Sequence, residues 1–374
     1  MAVVLLGKQG LAQMSWKGTA AVVTGYESNI FKSPDAVDSK GDTLNPITSD
    51  SFLGIELDLG ARYDLGSLHQ FTLSYSGDEF RYADNENVNQ YRHSGDLQYR
   101  LKAGTNTYFY VNGGIGYLQK LGTNVLGEGL TRLYTSKNYL LEPRLRHQTT
   151  DYLRNDLEYI YKYKDYDETE GYTSIDYREH EFNLSTLFDP FDSKFRSAAE
   201  LILGYIDRQY IEYSSRDVNG NTSADYPTRN YTYFTVTLGY NHPFDLFDVE
   251  LYSRYRTRRD NFEDYYSYNE LRLSSRIRGN ITEDIHYYVF VSWRDRDYLQ
   301  KTANQDSGAA SDEPNLIWKN IDFKTQIKYQ FMDNMSVEAI YRLDNRDTNV
   351  TDLTARTNRE YTDHSVSLAF VVDF

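Results

Sequence analysis

Most of the chain alternates between apolar and polar side chains with a period of two residues, in segments of about ten residues. In residues 53–63 the apolar face consists of Leu53, Ile55, Leu57, Leu59, Ala61 and Tyr63. The opposite face of the same segment carries Gly54, Glu56, Asp58 and Arg62. Because successive side chains of a strand point to opposite faces, each such segment predicts a strand with one apolar and one charged face. Helical spacing is almost absent, so the sequence predicts an all-β protein.

The polar breaks between these segments alternate in length. Short breaks lie near residues 64–67, 104–107, 149–151, 189–194, 241–245, 280–284 and 332–334. Longer polar segments lie near residues 27–50, 80–90, 119–137, 165–174, 213–229, 259–267, 298–315 and 345–360. This alternation predicts about sixteen antiparallel strands joined as successive hairpins, with every long loop at the same end.

A strand count of this size, with loops sorted by length, favours a closed transmembrane barrel. A soluble β-sandwich or a β-helix is the alternative, but neither has a reason to keep all long loops at one end. Closure also removes the unpaired strand edges that lipid cannot solvate. We therefore predict a transmembrane antiparallel up-and-down β-barrel of about sixteen strands, with short periplasmic turns and long extracellular loops.

The composition agrees with a barrel better than with a disordered chain. The 374 residues include 36 tyrosines, 18 phenylalanines and no cysteine, with a formal net charge of -15. The mean hydropathy is -0.68, and no run approaches the roughly 18 apolar residues that a membrane-spanning helix needs. Tyrosine suits strands and the membrane–water boundary because its ring is apolar and its hydroxyl is polar. The acidic excess argues against a nucleic-acid partner, since phosphate binding needs surplus Lys and Arg.

The first twelve residues differ from the rest of the chain. A short apolar run, residues 2–6, precedes Gly10, Leu11 and Ala12, which look like the small-residue cleavage site of a secretory signal. We interpret residues 1–12 as a residual signal or a disordered N-terminus. Residues 13–374 are predicted to form a single barrel domain.

Basic residues accumulate on the polar face of four consecutive late segments. They are Arg254, Arg256, Arg258, Arg272, Arg276, Arg278, Arg294, Arg296, Lys324 and Lys328. Acidic residues on the same faces, Glu250, Glu270 and Asp322, would neutralise part of this charge. Arginine binds carboxylate and phosphate in a bidentate manner, so a lumen lined this way would favour anionic solutes, uronic acids included. The alternative is that these residues form cross-strand ion pairs that hold the wall in shape.

No motif predicts a catalytic, metal or cofactor site. The segment from Asp217 to Asp225 resembles a calcium-binding loop, but Thr222 stands where such a loop has Gly and Thr228 where it has Glu. An exposed loop tip is the favoured interpretation. The seven histidines are scattered singly, and no nucleophile elbow is present. The sequence therefore predicts a protein that is not an enzyme.

The C-terminal segment resembles the sorting strand of bacterial outer-membrane proteins, which ends in an aromatic residue. The side chains that carry the likeness are Val366, Leu368, Phe370, Val372 and Phe374. The resemblance implies insertion into outer-membrane lipid by the barrel assembly machinery.

A second resemblance lies in GYESNIFKSP, residues 25–34, followed by SDSFLGIELDL, residues 49–59. This pair is similar to the first hairpin of the β-barrel porins found with exopolysaccharide systems, and of barrels attached to tetratricopeptide modules. No helical repeat precedes the barrel, so the resemblance implies that any periplasmic partner is a separate chain.

Together these observations predict a porin-like channel of the bacterial outer membrane for passive diffusion of polar, anionic solutes. One or more long loops are expected to fold inward and narrow the lumen. Two alternatives stay open: an export channel for an acidic polysaccharide, and a non-conducting surface scaffold or adhesin. The sequence does not distinguish a monomer from a homo-oligomer.

Overall fold

The computed structural model describes residues 13–32, 47–123, 129–133, 135–167, 173–189, 197–304, 313–351 and 359–374. For residues 87, 120–123 and 129–133 it describes the backbone alone. The predicted signal remnant, residues 1–12, lies outside the described residues. No helix in the described ranges is long and apolar enough to cross a membrane.

Within these ranges, sixteen strands form one closed antiparallel barrel, which confirms the predicted fold. In chain order the strands are β1 Gln13–Glu27, β2 Asp50–Leu65, β3 His69–Tyr82, β4 Gln90–Lys102, β5 Thr107–Thr123, β6 Gly129–Leu133, β7 Ser136–Thr150, β8 Leu153–Tyr166, β9 Tyr177–Phe188, β10 Ala198–Ser214, β11 Thr228–Pro243, β12 Phe247–Asp260, β13 Tyr268–Asn280, β14 Ile285–Thr302, β15 Asn315–Met332, β16 Met335–Thr348 and β17 Tyr361–Asp373. The short strand β6 lies outside the barrel wall, because it pairs only with the end of β5 while β5 itself pairs with β7. A single turn of 3-10 helix, Glu86–Val88, lies between β3 and β4.

The connections alternate in length as the sequence predicts. The short turns span residues 66–68, 103–106, 151–152, 244–246, 281–284 and 333–334, and the β9–β10 connection at the same end spans residues 189–197. The longer loops, such as residues 215–227 and 349–360, lie at the opposite end. By the usual asymmetry of outer-membrane barrels, the short turns mark the periplasmic end and the long loops the extracellular end.

The barrel closes where β1 pairs with β17. Nine residue pairs join the two strands, from Thr19 opposite Asp373 to Glu27 opposite Ser365. At the periplasmic end of this seam, Gly18 and Phe374 exchange two backbone hydrogen bonds of 2.7 and 2.8 Å. A Cβ atom on Gly18 would lie 2.3 Å from the Phe374 ring, so the ring lies directly over the glycine. The pairing leaves neither the first nor the last strand with a free edge.

The first long loop crosses this seam on its extracellular side. Ser28 donates its backbone N–H to the carbonyl of His364, and Asn29 donates its N–H to Asp363 at 3.1 Å. Lys32 reaches one strand further and forms an ion pair with Asp344 of β16. The described start of the loop therefore ties β1 to both β17 and β16.

The two faces of the wall differ in polarity. Outward side chains on the mid-strand positions are apolar and exposed, for example Leu53, Leu97, Leu157, Leu238 and Leu368. The alternate positions turn inward and carry most of the charged residues. In water such an exterior would be a single large apolar patch, which a soluble monomer does not tolerate. In a bilayer it is the lipid-facing band.

An arginine placed at position 97 tests the lipid-facing assignment. We expect Leu97→Arg to lower the free energy of unfolding by about 2–4 kcal/mol, because Leu97 faces lipid near the middle of β4. Gln98→Arg is the matched control, since Gln98 faces the lumen. Urea unfolding of the protein in lipid vesicles measures both variants. Equal stability of the two would contradict the assignment of the faces.

Candidate functional site

The inner wall formed by β12, β13 and β14 carries arginines in direct register. Arg254 lies opposite Arg272, and Arg272 lies opposite Arg294. We call these three residues the arginine row. Directly opposed like charges destabilise a sheet, so the row needs compensation from its neighbours.

Part of the compensation comes from one buried carboxylate, that of Glu270. Its side chain is 2 % exposed and accepts hydrogen bonds from Arg254 at 2.9 Å and from Arg296 at 2.7 Å. In the register of the sheet Glu270 lies between Arg256 and Arg296. A single carboxylate of β13 therefore binds arginines from the strands on both sides of it, β12 and β14.

The remaining predicted lumen residues fall into two groups. The first group forms ion pairs with acidic residues: Arg276 with Glu250 at 2.6 Å, Arg278 with Glu250 at 3.1 Å, Arg294 with Asp322 at 3.6 Å and Lys328 with Glu338 at 3.6 Å.

The second group has no carboxylate within ion-pairing distance among the described residues. Arg256 donates to the hydroxyl of Thr235 at 3.2 Å, and Arg272 donates to the hydroxyl of Ser292 at 2.7 Å. The ammonium of Lys324 lies 5.5 Å from the Tyr288 ring. Within the described part of the chain, none of these three cations is therefore neutralised by a direct ion pair with a carboxylate.

Arg258 belongs to a different environment, at the extracellular end of the inner wall. Its guanidinium lies 4.5 Å from the Tyr231 ring and 4.3 Å from the Tyr268 ring, and it donates to the carbonyl of Tyr266 at 2.7 Å. Further arginines and aromatic rings extend this packing, and we call the whole set the cation–aromatic layer: Arg208, Arg229, Arg258, Arg296 and Arg346 with Tyr177, Tyr213, Tyr231, Tyr266, Tyr268, Trp318 and Tyr361.

The cation–aromatic layer covers the inner wall from β9 to β17 near the long loops. Tyr231 and Tyr268 are almost fully buried, and Ala303 and Val350, from two different loops, pack into a cluster with Tyr268. The residues that directly follow β14 and β16 therefore pack against the inner wall. The predicted narrowing of the lumen by a long loop stays a prediction, since residues 305–312 and 352–358 lie outside the described residues. The composition suggests that tyrosines lie at the membrane–water boundary. In the structure, however, the tyrosines of the cation–aromatic layer face the lumen.

Two open cavities remain along the lumen. The first, of about 420 Å³, lies in the periplasmic and middle part of the wall between β7 and β12. Arg254 and Arg256 border it on one side, and Arg144, Arg146 and Arg154 border it on the other. Arg144, Arg146 and Arg154 are not among the predicted lumen residues, although Arg144 and Arg146 alternate with the apolar Leu145. Carboxylates border the same cavity, and Arg146 pairs with Asp156 at 2.7 Å.

The second cavity, of about 730 Å³, lies in the extracellular half against the wall around the seam. Lys32 of the first loop borders it. Burial disfavours the charged ammonium of Lys32, but Tyr361 and Asp344 outweigh burial and hold its pKa above the ordinary value. A charged Lys32 therefore holds the first loop against β16 at the border of this cavity, through its ion pair with Asp344.

Six of the seven histidines lie on the outer face, near the two edges of the apolar band. Each bonds through Nδ1 to a hydroxyl oxygen. Examples are His69 with Tyr99, His180 with Tyr159 and His364 with Tyr341, all at 2.8 Å. Only His286 shares the inward face, where it bonds to Asn280. The outward histidines are held apart from the lumen.

The loop from Asp217 to Asp225 is built by hydrogen bonds within itself. Asp217 accepts backbone N–H groups from Asn219 and Asn221, and Gly220 has a φ of 82°. Slight burial of Asp217 raises its pKa less than the hydrogen bonds from Asn221 lower it, so this pKa lies below the ordinary value. Across the described ranges no cluster of three or more His, Asp or Glu side chains could hold a metal ion.

A closed barrel of sixteen strands with a lipid-facing exterior and a charged interior defines an outer-membrane β-barrel of porin size. The chain has the fold of the bacterial outer-membrane porins, and the outer membrane is its location. No family model matches the chain, and no curated protein sequence matches it significantly.

Solved structures with a similar fold are outer-membrane channels. OccAB1 of Acinetobacter baumannii superposes with a TM-score of 0.50 at 8% identity, covering 96% of each chain. The outer membrane channel DcaP of Acinetobacter baumannii gives a TM-score of 0.49 at 12% identity, covering 100% of each chain. An anion-selective porin from Comamonas acidovorans gives 0.48 at 10% identity, covering 97% of this chain and 100% of that chain. At such identities the likeness concerns the fold alone.

The role of Glu270 in holding the arginines is open to direct measurement. We expect Glu270→Gln to lower the free energy of unfolding by about 3 kcal/mol, because it leaves Arg254 and Arg296 without their buried counter-charge. Urea unfolding in vesicles gives the value, and Glu283→Gln in an exposed turn is the control. Indistinguishable midpoints for the two variants would show that Glu270 does not hold the cluster.

Proposed function

We propose that this barrel is a passive channel, not an enzyme, through which polar anionic solutes cross the outer membrane. The arginine row is the observation that carries the proposal. A wall that needed only mechanical cohesion would oppose arginines with carboxylates, since opposite charges stabilise a cross-strand pair. Arg254 and Arg294 of the row have carboxylate partners, but Arg272 between them has none among the described residues, so its charge raises the positive potential at this level of the lumen.

The two interpretations of the arginines apply to different residues. Arg276 and Arg278 share Glu250, which supports a role in holding the wall in shape. Arg256 and Arg272 make hydrogen bonds only to hydroxyl groups among the described residues. A guanidinium with free donors presents a binding surface to a passing carboxylate or phosphate. We assign anion selection to Arg256 and Arg272.

The lumen offers a path on the side that the cation–aromatic layer leaves open. A barrel of about sixteen strands encloses an aqueous interior that side chains alone do not fill. The extracellular cavity of about 730 Å³ and the periplasmic cavity of about 420 Å³ lie at successive depths of this interior. Arg254 and Arg256 border the deeper one. A solute would therefore meet the arginines after passing the outer cavity.

The two alternatives make different predictions for the same experiment. A surface scaffold would show no steady conductance in planar bilayers, and the inward packing of Tyr268, Ala303 and Val350 is the observation that favours it. An exporter of acidic polysaccharide would conduct small ions only weakly until a periplasmic partner is added. Steady conductance of the purified barrel alone supports the diffusion channel.

Charge selectivity gives the sharper test. We expect Arg256→Gln combined with Arg272→Gln to lower the anion-to-cation permeability ratio about fourfold at low salt, roughly twofold for each charge removed from a partly aqueous lumen. The effect should shrink at 1 M salt, where the Debye length is about 3 Å. The reversal potential in a salt gradient across a planar bilayer measures the ratio.

Arg81→Gln is the control for this experiment, because it removes the same charge from the exterior, where Arg81 pairs with Glu79. An unchanged reversal potential in the double variant would reject the role of Arg256 and Arg272. A similar shift in the Arg81 variant would show that total charge, and not the lumen, sets selectivity.

A further inference from the structure

The inner wall beside the seam is apolar, in a lumen that is otherwise polar. Four of its side chains, Ala21, Val23, Ala369 and Val371, are almost fully buried in one cluster, and Phe52 and Phe80 pack against them. We call these six residues the apolar patch. All six line the extracellular cavity of about 730 Å³. At the seam the wall is therefore apolar on both faces, since Val22 and Leu368 face lipid.

Two glycines leave room for the phenylalanine rings close to the backbone of the wall. A Cβ atom on Gly25 would lie 2.5 Å from the Phe52 ring, and one on Gly54 would lie 2.5 Å from the Phe80 ring. Each ring thus covers a glycine of the preceding strand, and the two rings meet edge to face with centroids 5.8 Å apart. The result is a shallow apolar surface that borders the lumen without blocking it.

An apolar surface facing water inside a channel has an energetic cost. The four small side chains of the patch are already buried, so the area that remains exposed to the cavity belongs to the partly buried rings of Phe52 and Phe80. Inward polar side chains at positions 52 and 80 would avoid the cost of exposing that apolar area. Ala21, Val23, Ala369 and Val371 pack across the seam, whereas Phe52 and Phe80 lie on β2 and β3, outside the pair of strands that closes the barrel. Contact with the apolar part of a bound solute would remove the patch from water.

Cations from other strands border the same cavity. Arg342 of β16 and Lys164 of β8 have no carboxylate within ion-pairing distance among the described residues, whereas Arg92 pairs with Asp78 at 2.9 Å. Arg342 also lies directly opposite Lys324, so two cations adjoin at this position.

Three carboxylates border the cavity as well. Glu27 accepts a hydrogen bond from Tyr82 at 2.7 Å, and Glu338 accepts one from Gln326 at 2.7 Å. Glu56 is the third, and it has no ion-pair partner among the described residues. Counted by ion pairs among the described residues, Arg342, Lys164 and the adjoining Lys324 are unpaired, against Glu27 and Glu56, whereas Glu338 pairs with Lys328 at 3.6 Å. The excess of one positive charge favours a negatively charged solute.

We propose that the extracellular cavity binds amphiphilic organic acids, with the apolar part of the solute on Phe52 and Phe80 and its carboxylate toward Arg342, which adjoins Lys324. Within the proposed function, which this inference deepens, the cavity selects carboxylates that carry an apolar ring or chain over equally charged hydroxylated acids. Cavities of several hundred Å³ with an apolar lining and a few polar groups are typical small-molecule sites.

Cyclohexanecarboxylate and quinate are suitable probes, because they share a six-carbon ring and a carboxylate but differ in ring hydroxyls. Isothermal titration calorimetry on the full chain in lipid nanodiscs measures both affinities without requiring conduction. We expect cyclohexanecarboxylate to bind about tenfold more tightly than quinate, the effect of burying one apolar ring face. Cyclohexanol, which lacks the carboxylate, should bind more weakly than the acid.

Variants locate the binding to the patch. Phe80→Ser should lower the affinity for cyclohexanecarboxylate about tenfold and leave that for quinate unchanged. Phe290→Ser is the matched control, because Phe290 faces the lumen on β14 between Arg276 and Lys324, away from the patch. Phe80→Leu keeps an apolar surface and should retain most of the affinity, so it decides the question if the serine variant fails to fold.

Equal affinities for cyclohexanecarboxylate and quinate would overturn the proposal, and so would cyclohexanol binding as tightly as the acid. A loss with Phe290→Ser equal to that with Phe80→Ser would do the same. A barrel that binds the acid but does not conduct would keep this site and refute the channel. A conducting, anion-selective barrel without the preference would keep the channel and refute the site.

Discussion

The absence of water in the hydrocarbon layer is the constraint on which this structure depends. Every backbone N–H and C=O at that depth must find a partner within the protein, so an open sheet cannot persist there. The pairing of β1 with β17 meets this requirement, and the terminal pair of Gly18 and Phe374 extends it to the periplasmic end. Closure in turn separates two environments, because alternate residues of every strand must face either lipid or lumen.

Closely spaced arginine side chains on the inner wall then need neighbouring groups that offset their mutual repulsion. Glu270 accepts bonds from two arginines and is nearly inaccessible, so it acts as an internal counter-ion for a cluster that would otherwise repel itself. Because Glu270 cannot bind every neighbouring arginine, Arg256 and Arg272 have only hydroxyl partners within the part of the chain that the structure describes. The cation–aromatic layer handles its arginines differently, by placing guanidinium groups against ring faces. Arginine therefore has a structural role near the long loops, whereas halfway along the lumen Arg256 and Arg272 carry charges without an ion-pair partner among the described residues.

The sequence predicts the strands, their faces and the alternation of turns and loops because these features depend on local periodicity. It does not predict which arginines are paired, since Glu270 meets Arg254 and Arg296 only through the register of three strands. The apolar patch was missed for a similar reason. Phe52 precedes an apolar run and resembles part of it, yet its position depends on Gly25 of the neighbouring strand. The inward tyrosines were misplaced because composition alone does not distinguish a ring at the membrane boundary from one packed on an arginine.

The seam also bears on the order in which the molecule assembles. Thr19 and Asp373, whose side chains bond across it, are separated by 354 positions, whereas most other pairs belong to adjacent hairpins. Bringing such distant segments together carries the largest loop-closure entropy of any pairing in the barrel, so hairpins can form early while the ring stays open. The bonds of Ser28 and Asn29 to the last strand can form only afterwards. The contacts of the first loop with β17 therefore form last and stabilise the barrel only after it has closed.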